Sequence, residues 1–199
     1  MPPHTEIASG KRPKRQPRIL EAAVELFYER GFDAVTVDEI GVRAGVTGPA
    51  IYRHFSGKDE ILAAICDQAI DGFLQATGGE FDDPRRRLEH VISAHARYVL
   101  RERRPAAISF QDSRSLAEPF RSRLLARQRR YVDGLTDCLR DCYPHCSEDQ
   151  LLAATWTAMG ALNGVANWPR KAVNARGAAR NLAAMVLEGF RSLDAPAEA

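Results

Sequence analysis

The sequence predicts an all-α fold of about nine helices, in which an N-terminal three-helix, helix-turn-helix unit precedes a larger helical domain. Three observations lead there. Apolar residues recur at helical spacing along most of the 199 residues, and no polar–apolar alternation lasts long enough to build a sheet. Two capping boxes, Thr36-x-x-Glu39 and Ser147-x-x-Gln150, mark helix starts. Glycine and proline punctuate the periodic segments where starts and stops are needed.

Residues 1–13 carry Pro2, Pro3, Gly10 and Pro13 with several charges, and read as a disordered basic arm. The first helix is expected over 17–30, with Ile19, Ala23, Leu26 and Phe27 on one face and Gly31 at its end. Thr36 opens a second helix that Gly45 stops. Thr47 is expected to cap a third over 48–55, with Pro49 tolerated in its first turn. Ser56 is expected to cap a fourth over 57–76, and Thr77-Gly78-Gly79 breaks the chain. Asp83-Pro84 starts a fifth with Leu88, Val91, Ile92, His95 and Val99 on one face; Pro105 interrupts it, and a short sixth follows over 106–115. The seventh covers 118–143 and stops at Pro144, and the eighth runs from the Ser147 box to about 167. The ninth covers 175–193 before a frayed tail. The division is then an arm over 1–13, a helix-turn-helix domain over 14–60 and a helical domain over 61–199.

Composition narrows the function. Hydrophobic residues make up 45% and charged residues 27%, the balance of an ordinary globular protein. No apolar run approaches the roughly 20 residues of a membrane helix, and 1–10 lacks a signal-like apolar stretch, so the expected location is the cytoplasm, in association with the nucleoid when bound to DNA, with no membrane partner. The net charge of +2 says little, but Lys11, Arg12, Lys14, Arg15 and Arg18 form a cationic cluster suited to phosphates or a minor groove. A phosphate-binding glycine loop, a nucleophile elbow and a His-Glu-x-x-His motif are all missing from the sequence. The reading is therefore of a protein that is not an enzyme and needs no cofactor. An architectural nucleoid protein would want a more basic body.

The informative block is 36–55. Two short helices flank a tight turn at Gly45-Val46-Thr47, and Ile40, Ala44, Val46, Ile51 and Phe55 are spaced to pack them on the first helix. The third helix keeps a face of Thr47, Gly48, Ala50, Tyr52, Arg53 and His54. In a helix-turn-helix that face enters the major groove, where Gly48 and Ala50 permit close approach and Arg53 matches the bidentate acceptors of guanine. Tyr52, His54 and Lys58 are placed to reach phosphates.

The words around the block carry a family resemblance. Ile19-Leu20-Glu21-Ala22-Ala23-Val24-Glu25-Leu26-Phe27, Arg30-Gly31-Phe32, Thr36-Val37-Asp38-Glu39-Ile40, Ala44-Gly45-Val46-Thr47, Ile51-Tyr52-Arg53-His54-Phe55 and Lys58-Asp59-Glu60-Ile61-Leu62 closely resemble the TetR family of bacterial repressors. The resemblance implies phosphate contacts by Thr36, Tyr52, His54 and Lys58, and groove contacts around Arg43, Thr47, Gly48, Ala50 and Arg53. Two departures stand out. Gly41 occupies a mid-helix position where alanine is usual, at a propensity cost of about 1 kcal/mol. The third helix begins Gly48-Pro49-Ala50, which leaves few side chains for direct readout and favours shape readout.

For the remainder the resemblance implies a ligand cavity among the fourth to seventh helices and a dimer made by the last two, suited to a palindromic double-stranded operator. The expected interface is Trp156, Met159, Leu182, Met185, Val186, Gly189 and Phe190, and the candidate pocket residues are His95, Phe110, Gln111, Tyr131, Trp156, Met159 and Asn163. Ser109-Phe110-Gln111-Asp112, the arginine-rich seventh helix and Asn163 to Pro169 resemble regulators that answer to acyl-coenzyme A, with Arg121, Arg123, Arg127, Arg129 and Arg130 facing its phosphates. The function expected is a dimeric repressor released from its operator by a small apolar effector. The alternative sensor is Cys138, Cys142, His145 and Cys146, whose spacing could serve zinc, copper(I) or thiol oxidation.

Overall fold

The computed structural model describes residues 15–194; Lys11, Arg12, Lys14 and the rest of the expected arm lie outside them, as does the end of the tail. The described residues form ten α-helices and no strand. Three build the N-terminal unit: α1 (Arg15–Arg30), α2 (Val37–Ala44) and α3 (Gly48–Tyr52). α4 (Lys58–Thr77) passes through the position-60 boundary as one unbroken helix. α5 (Pro84–Arg101), α6 (Arg103–Gln111), α7 (Phe120–Cys142) and α8 (Glu148–Asn163) follow, then a single-turn α9 (Arg170–Val173) and α10 (Ala178–Phe190).

Two apolar cores share α4. The first gathers Ile19, Ala23, Phe27, Ile40, Ile51 and Phe55 around Ile61, Ile65 and Ile70, and draws in Ile108, Leu116 and Leu124 from the larger unit. The second gathers Phe73, Ile92, Leu135, Leu139, Leu162 and Phe190. The i, i+4 rows of α4 therefore face α1 near its start and α5 and α7 further along, which makes it the mechanical link between the two ends of the molecule. No helix among the described residues is long and apolar enough to cross a membrane.

Several boundaries differ from expectation. α3 stops at Tyr52, three residues early, with Arg53 as its C-cap. α4 opens at Gly57 rather than through a Ser56 side-chain cap; instead the Glu60 carboxylate accepts the Ser56 N–H at 2.6 Å. α5 ends at Arg101, and Pro105 sits inside the first turn of α6, where its missing N–H costs nothing. The expected ninth helix is α10, which starts after Gly177 and ends at Phe190, and α9 is a further turn ahead of it that was not expected.

Candidate functional site

The N-terminal unit is held by a local electrostatic clamp. Glu39 accepts the Thr36 N–H at 2.8 Å while its own N–H donates to the Thr36 hydroxyl at 3.3 Å. Arg30, at the end of α1, donates to the Glu39 carboxylate at 2.7 Å and to the Ala34 carbonyl at 2.9 Å. The Arg30 and Thr36 hydrogen bonds hold the Glu39 carboxyl down at about 2. Thr36 thus commits its hydroxyl to the cap.

The turn into α3 depends on two glycines. Gly45 has φ +64, and a Cβ there would lie 2.9 Å from the Arg18 guanidinium. A Cβ on Gly41 would sit 3.2 Å from the Val46 carbonyl and 3.3 Å from Ile51 Cδ1, which explains the departure from alanine: α2 and α3 meet at this point.

Thr47, Pro49, Tyr52, Arg53 and His54 form an exposed face, with Gly48 half-buried among them. Thr47 stands at the N-cap position but makes no capping bond, so its hydroxyl stays on the surface. Ala50 corrects the sequence reading: it is 5% exposed and packs inward. Arg43 is exposed but paired with Glu25 at 2.9 Å and Glu29 at 3.8 Å, surface pairs worth at most about 1 kcal/mol. Lys58 points back at the chain: its ammonium donates to the Phe32 carbonyl at 2.9 Å and sits 4.3 Å above the Phe32 ring. Sequence reasoning missed Val42, an apolar side chain 83% exposed beside Arg43 on α2; its break in the amphipathic pattern was the available signal.

In the larger unit, His95, Phe110, Tyr131 and Asn163 come together on the wall of a cavity of about 100 Å³, joined by Phe73, Tyr98, Ser109 and Gln128, which the sequence reading did not single out. His95 is 2% exposed. The Asn163 amide oxygen, 3.2 Å away, accepts from Nε2–H, which leaves Nδ1 to accept the Tyr131 hydroxyl at 3.1 Å. Burial pushes the imidazole down to about 4, against the partial opposition of the Asn163 bond, so it is neutral at pH 7. Phe73 meets both rings edge-on, at 4.5 and 4.4 Å.

Other expected pocket residues lie elsewhere. Gln111 is exposed and donates to Asn167 at 3.1 Å. Trp156 is 59% exposed, and Met159 packs on the second core. Two of the α7 arginines face α4: Arg123 and Arg127 pair with Asp67, and Arg127 also with Asp71, while Arg121 pairs with Glu118 and Arg129 and Arg130 are exposed.

The cysteine cluster does not assemble. No group of three or more ligating side chains comes within metal-holding reach among the described residues. Cys138 is buried, and burial raises the thiols of Cys138 and Cys142. Past the helix end, His145 Nε2 and the Cys146 thiol both donate to the Leu193 carbonyl, at 2.8 and 3.6 Å.

At the far end, α8 and α10 border an open apolar groove of about 740 Å³. Leu182, Met185, Val186, Gly189 and Phe190 all line it, but Leu182, Val186 and Phe190 are buried within the chain, whereas Met185 is 75% exposed. Trp156 and Met159 are not part of its wall.

Residues 19–65 match a family model described as "Bacterial regulatory proteins, tetR family", and residues 82–190 one described as "Tetracyclin repressor-like, C-terminal domain". The chain is 28% identical over 152 residues to the HTH-type transcriptional activator FasR of Mycolicibacterium smegmatis, covering 75% of this chain and 68% of the relative. It superposes on the regulator PfmR from Thermus thermophilus with a TM-score of 0.77 and 27% identity, over 87% of this chain and 96% of that one. AibR, solved in complex with isovaleryl coenzyme A and operator DNA, superposes with a TM-score of 0.77 and 20% identity over 88% and 97% of the two chains, a likeness of fold.

Proposed function

Because the chain belongs to the TetR family of bacterial regulatory proteins and is thereby a DNA-binding transcriptional regulator, we propose that it binds a palindromic operator as a homodimer and leaves it when the small apolar acyl group of an acyl-coenzyme A thioester enters the helical domain. The single observation that carries the sensing half is the His95–Tyr131–Asn163 triad on the cavity wall: a few fixed polar groups in an otherwise apolar lining are what orients a small ligand. The complex of AibR with isovaleryl coenzyme A and operator DNA supports this class of effector. We assign repression, in keeping with the repressor-like description of the C-terminal match, although FasR is named an activator; a promoter–reporter assay reads the sign.

The geometry supplies a lever. Ala69, Ile70 and Phe73 of α4 line the cavity, and Lys58 at the start of the same helix is bonded to the chain between α1 and α2. A ligand that shifts α4 re-spaces the two α3 helices of a dimer against half-sites about 34 Å apart. It weakens DNA binding only if it binds the shifted conformer more tightly. Fluorescence anisotropy on a selected palindromic duplex tests this. We expect butyryl-coenzyme A to weaken operator binding by about 100-fold, a difference of about 2.7 kcal/mol. No duplex binding at low salt would overturn the DNA half, and operator affinity indifferent to acyl-coenzyme A of any chain length would overturn the effector half.

A further inference from the structure

A cleft of about 950 Å³ lies between α1, α4 and the corner joining α5 to α6. It borders the inner cavity, since Ala69 and Tyr98 line both. Tyr98 forms the partition. Its hydroxyl donates to the Ala69 carbonyl at 2.7 Å, and it stands against Gly72, where a Cβ would lie 2.9 Å from the hydroxyl oxygen. A side chain on Gly72 would push the Tyr98 ring from this place.

Charge in the cleft is unbalanced. Arg101 is matched by Glu102, and Glu25 by Arg43. Arg103, Arg104 and Arg170 line the cleft with no carboxylate partner among the described residues, and the acid left over is Glu21. Arg103 donates to the Ala166 and Trp168 carbonyls, yet its Nε–H is buried without an acceptor. A buried donor on a cation left unmatched is unfavourable, a deficit an anion beside Arg103 would offset. Arg104 lies 5.7 Å over the ring of Tyr28, another wall residue, so a flat aromatic surface stands beside the cations.

We infer that cleft and cavity are two ends of one effector site, which takes a short acyl thioester carrying a polyphosphorylated handle. The inference rests on the effector reading above and deepens it. The phosphates meet Arg103, Arg104 and Arg170, and the acyl end passes Tyr98 to reach His95. At roughly 30 Å³ per water-sized group, the inner cavity admits about three, which limits the acyl chain to a few carbons. The cleft walls come from α1 on one side and α4 to α6 on the other, so a seated handle touches the DNA-binding unit directly.

Isothermal titration of the full-length protein tests this with four probes: butyryl-coenzyme A, palmitoyl-coenzyme A, coenzyme A alone, and butyryl-N-acetylcysteamine, which has the thioester without phosphates. We expect butyryl-coenzyme A to bind at least tenfold more tightly than the other three. The double variant Arg104→Gln, Arg170→Gln should lower that affinity at least tenfold and leave the phosphate-free thioester unchanged. Arg103→Lys, which keeps the charge and loses the fork, should fall between wild type and the double variant. Double-variant affinity equal to wild type, or tighter binding of palmitoyl- than of butyryl-coenzyme A, would overturn the inference. Operator binding measured on the same samples separates the two readings. Arginine-dependent thioester binding without operator release sustains this site and sinks the regulatory reading; release by butyryl-coenzyme A that is unaltered in the double variant does the reverse.

Discussion

His95 gives the larger helical unit a pH signature. Its imidazole titrates near 4 in the folded chain, against 6.5 for the exposed group. On acidification the unfolded chain takes the proton first. The stability that a neutral His95 contributes is therefore complete above pH 6.5 and is lost as pH falls toward 4. A gap of that size corresponds to roughly 3 kcal/mol. Urea denaturation at pH 7, 5.5 and 4.5 should show the loss in wild type and a flatter profile in His95→Gln; an equally steep profile in the variant would place the effect on another group. Gly45 gives a second residue-scale prediction. At φ +64, Gly45→Ala should destabilise the protein by about 1–2 kcal/mol, read as a lower denaturation midpoint at constant slope. Both residues were legible in the sequence, one as a histidine on an apolar face and one as a turn glycine. Lys58 and Arg43 were read as DNA contacts, and their ties within the chain went unseen because the carbonyl of Phe32 and the carboxylates of Glu25 and Glu29 are distant in sequence. Tyr98 escaped notice because it continues the apolar face of α5 and nothing in its spacing marks it as a partition.

At the scale of elements, capped or strongly periodic helices were legible and the uncapped ones were not. The two boxes at Thr36 and Ser147 form as read, because reciprocal side-chain bonds decide the first turn locally. α9 was invisible because a four-residue turn has no periodicity, and α6 began early because proline inside a first turn resembles a break. On the proposed reading, the short α3 concentrates DNA recognition in a few positions. Tyr52→Ala should weaken binding to every duplex by a similar factor, while Arg53→Ala should lose about 1–3 kcal/mol mainly at one base pair. Anisotropy across a panel of single-base operator variants separates them; an Arg53→Ala loss spread evenly over the panel would reassign that residue to the backbone. Lys58→Met should lower the melting temperature as well as DNA affinity, because it removes the tie to the Phe32 carbonyl.

The largest scale is the proposed dimer, which the family resemblance placed on the last two helices without saying which of their faces meets which neighbour. The structure divides α10 in two. Leu182, Val186 and Phe190 turn into the chain's own core, and Met185 faces outward. Across the groove, α8 offers Ala153, Gly160 and Ala161, with Gly164 just past its end, small residues over which a second helix pair could approach closely. An open apolar groove with a three-quarters-exposed methionine on its edge is the surface a symmetric partner would cover. This sharpens the choice of variant. A charge at Phe190 would damage the monomer core, so loss of the dimer there would say nothing about the interface. Met185→Glu alters only the exposed side. Placed in a dimer interface, an unpaired carboxylate costs several kcal/mol, enough to shift dissociation by more than 100-fold. Sedimentation at micromolar concentration should therefore give a dimer for wild type and a monomer for Met185→Glu, with equal helical content by circular dichroism. Because one subunit reads only one half-site, the monomeric variant should also lose most of its affinity for the palindrome while binding an isolated half-site as wild type does. A Met185→Glu protein that stays dimeric would move the interface away from this groove, and a monomeric wild type would remove the dimer from the account of how the operator is read.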